Sequence, residues 1–327
     1  MPASLEQREP NEAALIAEMI ALLKRKMAAD YERGGTLRDA HPKTVGLLRG
    51  RFVVEPDLPR ELRVGVFRVP ATFDCWVRFS NSSAKVQSDA IADARGVAIK
   101  LMAPGGKGRT TDAGMGQDFI LLSAPVMPLG TVALFRDAVY HAVERSLLLF
   151  GAKLLLTVRP GVLFGLAGLL IKPASLLDIR YWSTTPYRFG PDQAVKYSLI
   201  PTEQREAKRE AKPSEDYLSE AMQRHLSRRA ASFDFCVQFR RDDMPIEDAA
   251  VRWDERRSPF IKVATLQLPK QAFRTPAREG LAEALSFSPG HAAAAHAPLG
   301  GLNRARTRIY RALSKFRHQR DGRHDLK

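Results

Sequence analysis

The sequence predicts an α+β fold: an antiparallel β-barrel with helical insertions and a helix at its C-terminal end. Three observations carry that expectation. Apolar residues alternate with period two in short runs from about Arg51 to Leu268. A long apolar stretch with helical spacing interrupts them at about 131–171, and period-3.6 patterns stand at both ends of the chain.

Taken in chain order, Asn11, Glu12 and the series Leu15, Ile16, Met19, Ile20, Leu22, Leu23 mark a helix with a start signal, stopped by Gly34–Gly35. Strand alternation follows at Leu62, Val64 and Val66, and again at Cys75, Val77 and Phe79, where it places Arg78 and Ser80 together on the opposite face. Further strands are expected at Gly96–Met102, Asp118–Ser123, Val195–Ile200, Ser232–Phe239 and Phe260–Leu268. The 146–172 stretch is too broken, by Lys153 and by Arg159–Pro160, for a membrane span of about 20 apolar residues, and it reads as two buried or surface-docking helices. A helix opens near Ser214, and a last one begins after Gly300–Gly301 with Asn303 as its cap. The tail, RHQRDGRHDLK, reads as solvated.

No internal repeat is visible, and the chain reads as one domain over 1–327. Its parts are an N-terminal helix in 1–35, a barrel over 36–270 and a C-terminal helical segment over 271–327. With 45% hydrophobic and 27% charged residues the composition is ordinarily globular. The net charge of +15 invites a nucleic-acid reading, but Lys and Arg are spread along the chain without a binding motif, so no nucleic-acid partner is expected. Such charge suits anionic substrates equally well. The cysteines, Cys75 and Cys236, are far apart and lie in apolar strands, which suggests buried free thiols. The N-terminus lacks the pattern of a secretory leader, so cytoplasmic residence is the expectation.

Two places suggest chemistry. On the last helix Arg306, Tyr310, Leu313 and Arg317 are spaced by four, three and four residues and share one face. A phenol ordinarily titrates near 10 and ionises at neutral pH only beside positive charge or a metal; Arg306 could supply part of that charge. By itself this pattern reads first as a solvated Arg-rich face with one amphipathic tyrosine. Near the other end, His41 stands alone in RDAHPKTVGLLRGRFVV. It is either a structural histidine or a general acid–base.

In sequence these pieces form an ordered set that resembles the catalase superfamily, and within it the small haem peroxidases that lack a C-terminal helical domain. Arg38, His41 and Lys43 match the family's Arg-x-x-His-Ala-Lys; Val77-Arg78-Phe79-Ser80 match its Val-Arg-Phe-Ser strand; DARGVAIK (Asp93 to Lys100) follows. Phe287-Ser288-Pro289 and the Arg306, Tyr310, Arg317 spacing complete the order, with weaker likeness in RYWSTTPYRFG, AVKYSLIP, PIEDAAVRWDE and PFIKVATLQLP.

The resemblance implies haem b, with Tyr310 as axial ligand on the C-terminal helix and His41 as distal acid–base group. It also implies that Ser80 orients His41, that Arg38, Arg78 and Arg317 pair with the propionates, and that Arg306 contacts the phenolate. The implied reactants are hydrogen peroxide or an organic hydroperoxide and a small organic reductant. The implied activity is an organic-hydroperoxide peroxidase; dismutation of hydrogen peroxide, rearrangement of fatty-acid hydroperoxides and a non-catalytic haem- or lipid-associated role are the alternatives. One departure bears on this choice: the family's distal Gly-Asn-Asn-Thr-Pro-Val becomes Leu121-Leu122-Ser123-Ala124-Pro125-Val126, which removes an amide. Leu121 and Leu122 with the 147–170 segment either form a pocket for an alkyl group or simply pack. A peripheral membrane contact and a homo-oligomer are further expectations.

Overall fold

The computed structural model describes residues 5–102, 116–157, 160–203 and 211–322. Residues 1–4, Arg159 and the tail from 323, with His324, lie outside them.

Nine strands among the described residues form one antiparallel sheet: β1 Thr44–Val54, β2 Thr72–Asn81, β3 Arg95–Leu101, β4 Gln117–Leu122, β5 Tyr181–Trp182, β6 Tyr187–Phe189, β7 Gln193–Pro201, β8 Ala231–Phe239 and β9 Ile261–Leu268. Their order is β5-β4-β3-β2-β1-β9-β8-β7-β6, and β5 also pairs with β7. Eight strands thus close into a barrel, while β6 occupies the other end of the same β7 edge. Closure leaves few unpaired strand edges, the ordinary hazard of an open sheet.

Strand alternation sorts the side chains. Phe52 of β1, Phe119 of β4 and Phe235 of β8 meet inside the barrel with ring centroids 4.6–5.7 Å apart. Burying each such ring contributes about 1.5–3 kcal/mol, so these positions fix the strand register. A one-residue slip would turn them outward.

Seven α-helices dress the barrel among the described residues: α1 Glu12–Asp30, α2 Val132–Glu144, α3 Leu147–Leu156, α4 Pro160–Gly168, α5 Tyr217–Leu226, α6 Pro276–Ala284 and α7 Gly301–Arg320. α1, α2 and α7 share a second core in which Ile16, Met19, Val132, Ala305 and Ile309 are buried.

Several local expectations are corrected. The run Leu62, Val64, Val66 is not a strand but two short 3-10 turns, Arg60–Leu62 and Gly65–Phe67. Gly65 there has φ 53, and a Cβ on it would stand 2.3 Å from Nε2 of His296. The first strand begins earlier, at Thr44; the 146–172 stretch does hold two helices, α3 and α4, and α2 precedes them in the insertion. Asn303 is not a cap: α7 starts at Gly301, and the Asn303 side chain is buried inside the helix's first turn. Nor do residues 317–320 belong to the tail, since they are helical, with Arg317 and His318 buried.

Candidate active site

Successive strands place Thr44, Ser80, Gly96 and Leu122 in one cross-strand row, which Trp182 of β5 extends. Residues in such a row project to one side of a sheet. Their neighbours of opposite parity, Phe79, Val97 and Leu121, belong to the barrel core, so the row faces outward.

His41, in the loop before β1, lies against this row. Its Nδ1 is 2.9 Å from Ser80 Oγ. Gly96 provides the space, because a Cβ there would approach Cε1 of the imidazole to 2.7 Å and Nδ1 to 2.8 Å. His41 itself has φ 58, in the left-handed region that non-glycine residues rarely occupy. Such a conformation costs on the order of 1–3 kcal/mol and persists where its surroundings impose it. Arg78 is the restraint: its Nη2 donates to the His41 carbonyl at 2.7 Å and to Thr44 Oγ1 at 2.7 Å, and its Nε donates to the same hydroxyl at 3.0 Å.

Burial, then the charges of Arg78, Arg306 and Arg38, bring the pKa of His41 down to about 3. The imidazole is therefore neutral at physiological pH and able to accept a proton.

Three guanidiniums gather beside it around one carboxylate. Arg38 donates to Glu283 Oε1 at 2.9 Å and to the carbonyls of Ala282 and Leu285. Arg317 reaches the same side chain, with Nη1 3.2 Å from Oε2, and donates to the Glu283 carbonyl at 2.7 Å. Arg78 is depressed by burial first and then by Arg38 and Arg317, with Glu283 acting the other way. Guanidiniums keep their charge inside proteins, so three cations against the single Glu283 leave an excess of two. That excess suits a dianionic ligand.

α7 supplies the phenol. Half-buried Tyr310 borders the core formed with α1 and α2, and the guanidinium carbon of Arg306 lies 5.7 Å from its ring centroid. Burial lowers the pKa of Arg306, but the neighbouring phenols of Tyr310 and Tyr187 outweigh it and raise the value overall. Arg306 Nη1 donates to Thr185 Oγ1 at 3.1 Å and to Asn303 Oδ1 at 3.2 Å. Asn303 Nδ2 in turn donates to the Pro186 carbonyl at 2.8 Å. The Thr185–Pro186 turn before β6 therefore fixes the guanidinium that addresses the tyrosine.

All seven residues singled out in the sequence, Arg38, His41, Ser80, Arg78, Arg306, Tyr310 and Arg317, fall in this one electrostatically linked region: the charge of Arg306 is felt at His41, and Tyr310 acts on Arg78. Glu283, Gly96, Thr44 and Asn303 were not singled out. Glu283 had no local signal, because α6 carries it to the arginines from far along the chain. Gly96 stood within the DARGVAIK match, whose other polar members are structural: Asp93 accepts from Ser82 Oγ and Ser83 N, buried Arg95 from Nη2 donates to the Asp89 and Ile91 carbonyls, and Lys100 pairs with Asp118 at 2.8 Å.

The row also separates the three distal candidates. Leu121 lies in the barrel core; Ser123 accepts from the Arg95 amide at 2.9 Å; of the three, Leu122 sits beside Gly96 on the outward face. Among the other histidines, His296 is a buried core residue whose Nε2 accepts from Val66 N, and burial takes its pKa down to about 4. His291 pairs with Asp118 at 3.0 Å and links β4 to the segment before α7.

The donor set fits haem: a phenol for the iron, an imidazole with room at its back, and a two-charge excess for two propionates. Comparison with known proteins bears on the fold. No family model matches the chain, and no curated protein matches its sequence. Solved catalases do match in structure, and the fold is catalase-like. A fungal catalase superposes with TM-score 0.69 at 16% identity, covering 86% of this chain and 59% of that one. Catalase A from Saccharomyces cerevisiae gives 0.70 at 16% identity, with 86% and 62% covered, and a bacterial catalase gives 0.68 at 15%, with 100% and 66% covered. The chain therefore spans 59–66% of the length of these catalases.

Proposed function

We propose that the protein is a haem-dependent peroxidase that consumes organic hydroperoxides. The observation that supports this most is the pairing of a neutral His41, set against Ser80 over Gly96, with the Tyr310–Arg306 pair in the same charged region. Tyr310 would ligate the iron, Arg306 would hold the phenolate, and Arg38, Arg78 and Arg317 would pair with the propionates. Haem, once bound, supplies the reductive cleavage of the O–O bond and the oxidation of a donor. The chain's own part is the proton. With Nδ1–H donating to Ser80 Oγ, Nε2 of His41 keeps its lone pair, takes the proton from the inner hydroperoxide oxygen and returns it to the departing outer one.

Leu122 favours organic hydroperoxides over hydrogen peroxide. Beside His41 the row offers the hydroxyls of Ser80 and Thr44, engaged by His41 and Arg78 respectively, with the indole of Trp182 beyond Leu122. An alkyl group packs against Leu122, whereas a small polar peroxide gains no second hydrogen bond from Ser80 or Thr44.

The test is a visible spectrum of the purified protein with and without added haemin, followed by cumene hydroperoxide and a phenolic dye. Wild type should bind haem and oxidise the dye. His41→Ala should keep the haem and lose about 100-fold or more in turnover, the usual worth of an acid–base group. Tyr310→Phe should change the spectrum and lose most of the haem. A wild-type protein that stays colourless with haemin refutes the reading.

A further inference from the structure

The surface of the α3–α4 hairpin remains unexplained by the site. Seven of the twelve exposed large hydrophobic residues among the described residues lie between Leu147 and Leu170. α3 is apolar on every side but that of Lys153: Phe150 and Leu154 are buried against Leu129, while Leu148, Leu155 and Leu156 stand 86%, 61% and 85% exposed. α4 repeats the arrangement, with Val162, Leu163 and Leu166 packed inward and Phe164 76% exposed. A helix apolar on every side belongs in a core or at a lipid surface, and apolar patches of this density mark interaction sites.

Charge selects the partner. From Arg145 to Leu177 the sequence contains no aspartate or glutamate. Arg145 and Lys172 are exposed cations at the two ends, and Lys153, half-exposed, pairs with Asp137 of α2 at the edge. A second copy docked symmetrically would set these cations against one another. Anionic lipid headgroups would meet them with opposite charge while the leucines enter the acyl boundary. With 10 and 9 residues, α3 and α4 are too short to cross a bilayer, and no described helix is long and apolar enough to do so.

We propose that the α3–α4 hairpin docks the protein onto the surface of an anionic lipid bilayer, with Leu148, Leu155, Leu156 and Phe164 inserted. This surface does not depend on the haem reading, and its test measures binding rather than turnover. The full chain is sedimented with phosphatidylcholine vesicles with and without phosphatidylglycerol, alongside L148E/L156E and the uncharged L148S/L156S; circular dichroism and melting should be unchanged, since both side chains are exposed. Wild type should pellet with the phosphatidylglycerol vesicles, and both variants should lose about tenfold of that binding. Failure to pellet, or equal pelleting of wild type and variants through charge alone, overturns the proposal. So does a leucine-dependent dimer in analytical ultracentrifugation without vesicle binding.

Discussion

Gly96 is the smallest group at the site and the one on which the imidazole leans most directly. A methyl there would stand 2.7 Å from Cε1 of His41, well inside contact distance, so the ring must move. Gly96→Ala should keep bound haem yet lower kcat/KM for cumene hydroperoxide about 100-fold, the cost of displacing a catalytic group by an ångström or so. Ser80→Ala, which removes one restraint and leaves the space, should cost nearer tenfold. His41 also predicts a pH profile. Its folded pKa of about 3 lies below the ordinary 6.5, through burial and the charges of Arg78, Arg306 and Arg38. Turnover should therefore show no inflection near pH 6.5, and a stopped-flow profile of kcat/KM between pH 5 and 8 checks it. The stability of the haem-free protein behaves otherwise. The unfolded chain protonates this histidine first as pH falls, so the contribution of the neutral ring is complete above 6.5 and lost progressively towards 3.

At the scale of elements, the row Thr44–Ser80–Gly96–Leu122 turns strand register into site geometry. Leu122→Asn adds a donor beside Gly96 without touching the barrel core. It should raise oxygen release from hydrogen peroxide relative to dye oxidation about fivefold, the worth of one hydrogen bond of ~1 kcal/mol; an oxygen electrode and a dye assay on the same sample give the ratio. Most strands were legible because each buries one face, which writes period two into the residues. Cys75, Val77 and Phe79 point inward while Arg78 and Ser80 stand outward, as their alternation indicated. The Leu62–Val66 run carried the same alternation but folds as turns, because the local signal competes with Gly65 at φ 53 and with the His296 ring lying on it, a contact from far along the chain. α6 was hidden for a related reason: of its nine residues only Ala282 is buried, so it lacks the apolar stripe that announces a helix.

Across the whole molecule, the residues named for the site were readable only as an ordered set. Arg38, Arg78 and Arg317 are scattered along the chain, and what unites them, the carboxylate of Glu283, is a tertiary fact. The anchoring of α7 is another. Arg304 binds Glu6 at 2.5 Å, Glu12 at 2.6 Å and Glu247 at 2.9 Å, joining the N-terminal segment, α1 and the segment after β8 to the helix that bears Tyr310. Two of these carboxylates also accept from the first amides of that helix, Glu6 from Gly300 and Glu247 from Gly301, where negative charge is favoured by the helix dipole. Arg304→Ala would leave three acids facing one another. Glu6 and Glu247 are about a quarter exposed, so the loss should be about 2 kcal/mol, below the about 3–5 kcal/mol of a fully buried pair. The same cluster gives an acid limit. Arg304, by hydrogen bond first and then by charge, holds Glu12 below its ordinary 4.5 despite burial. A carboxylate depressed on folding stabilises the native state above its unfolded pKa and ceases to do so as pH falls through the folded value. Urea unfolding of wild type should therefore weaken from about pH 4.5 downward, and the Arg304→Ala variant should lose part of that dependence. An identical acid slope in both proteins would show that the cluster does not anchor α7.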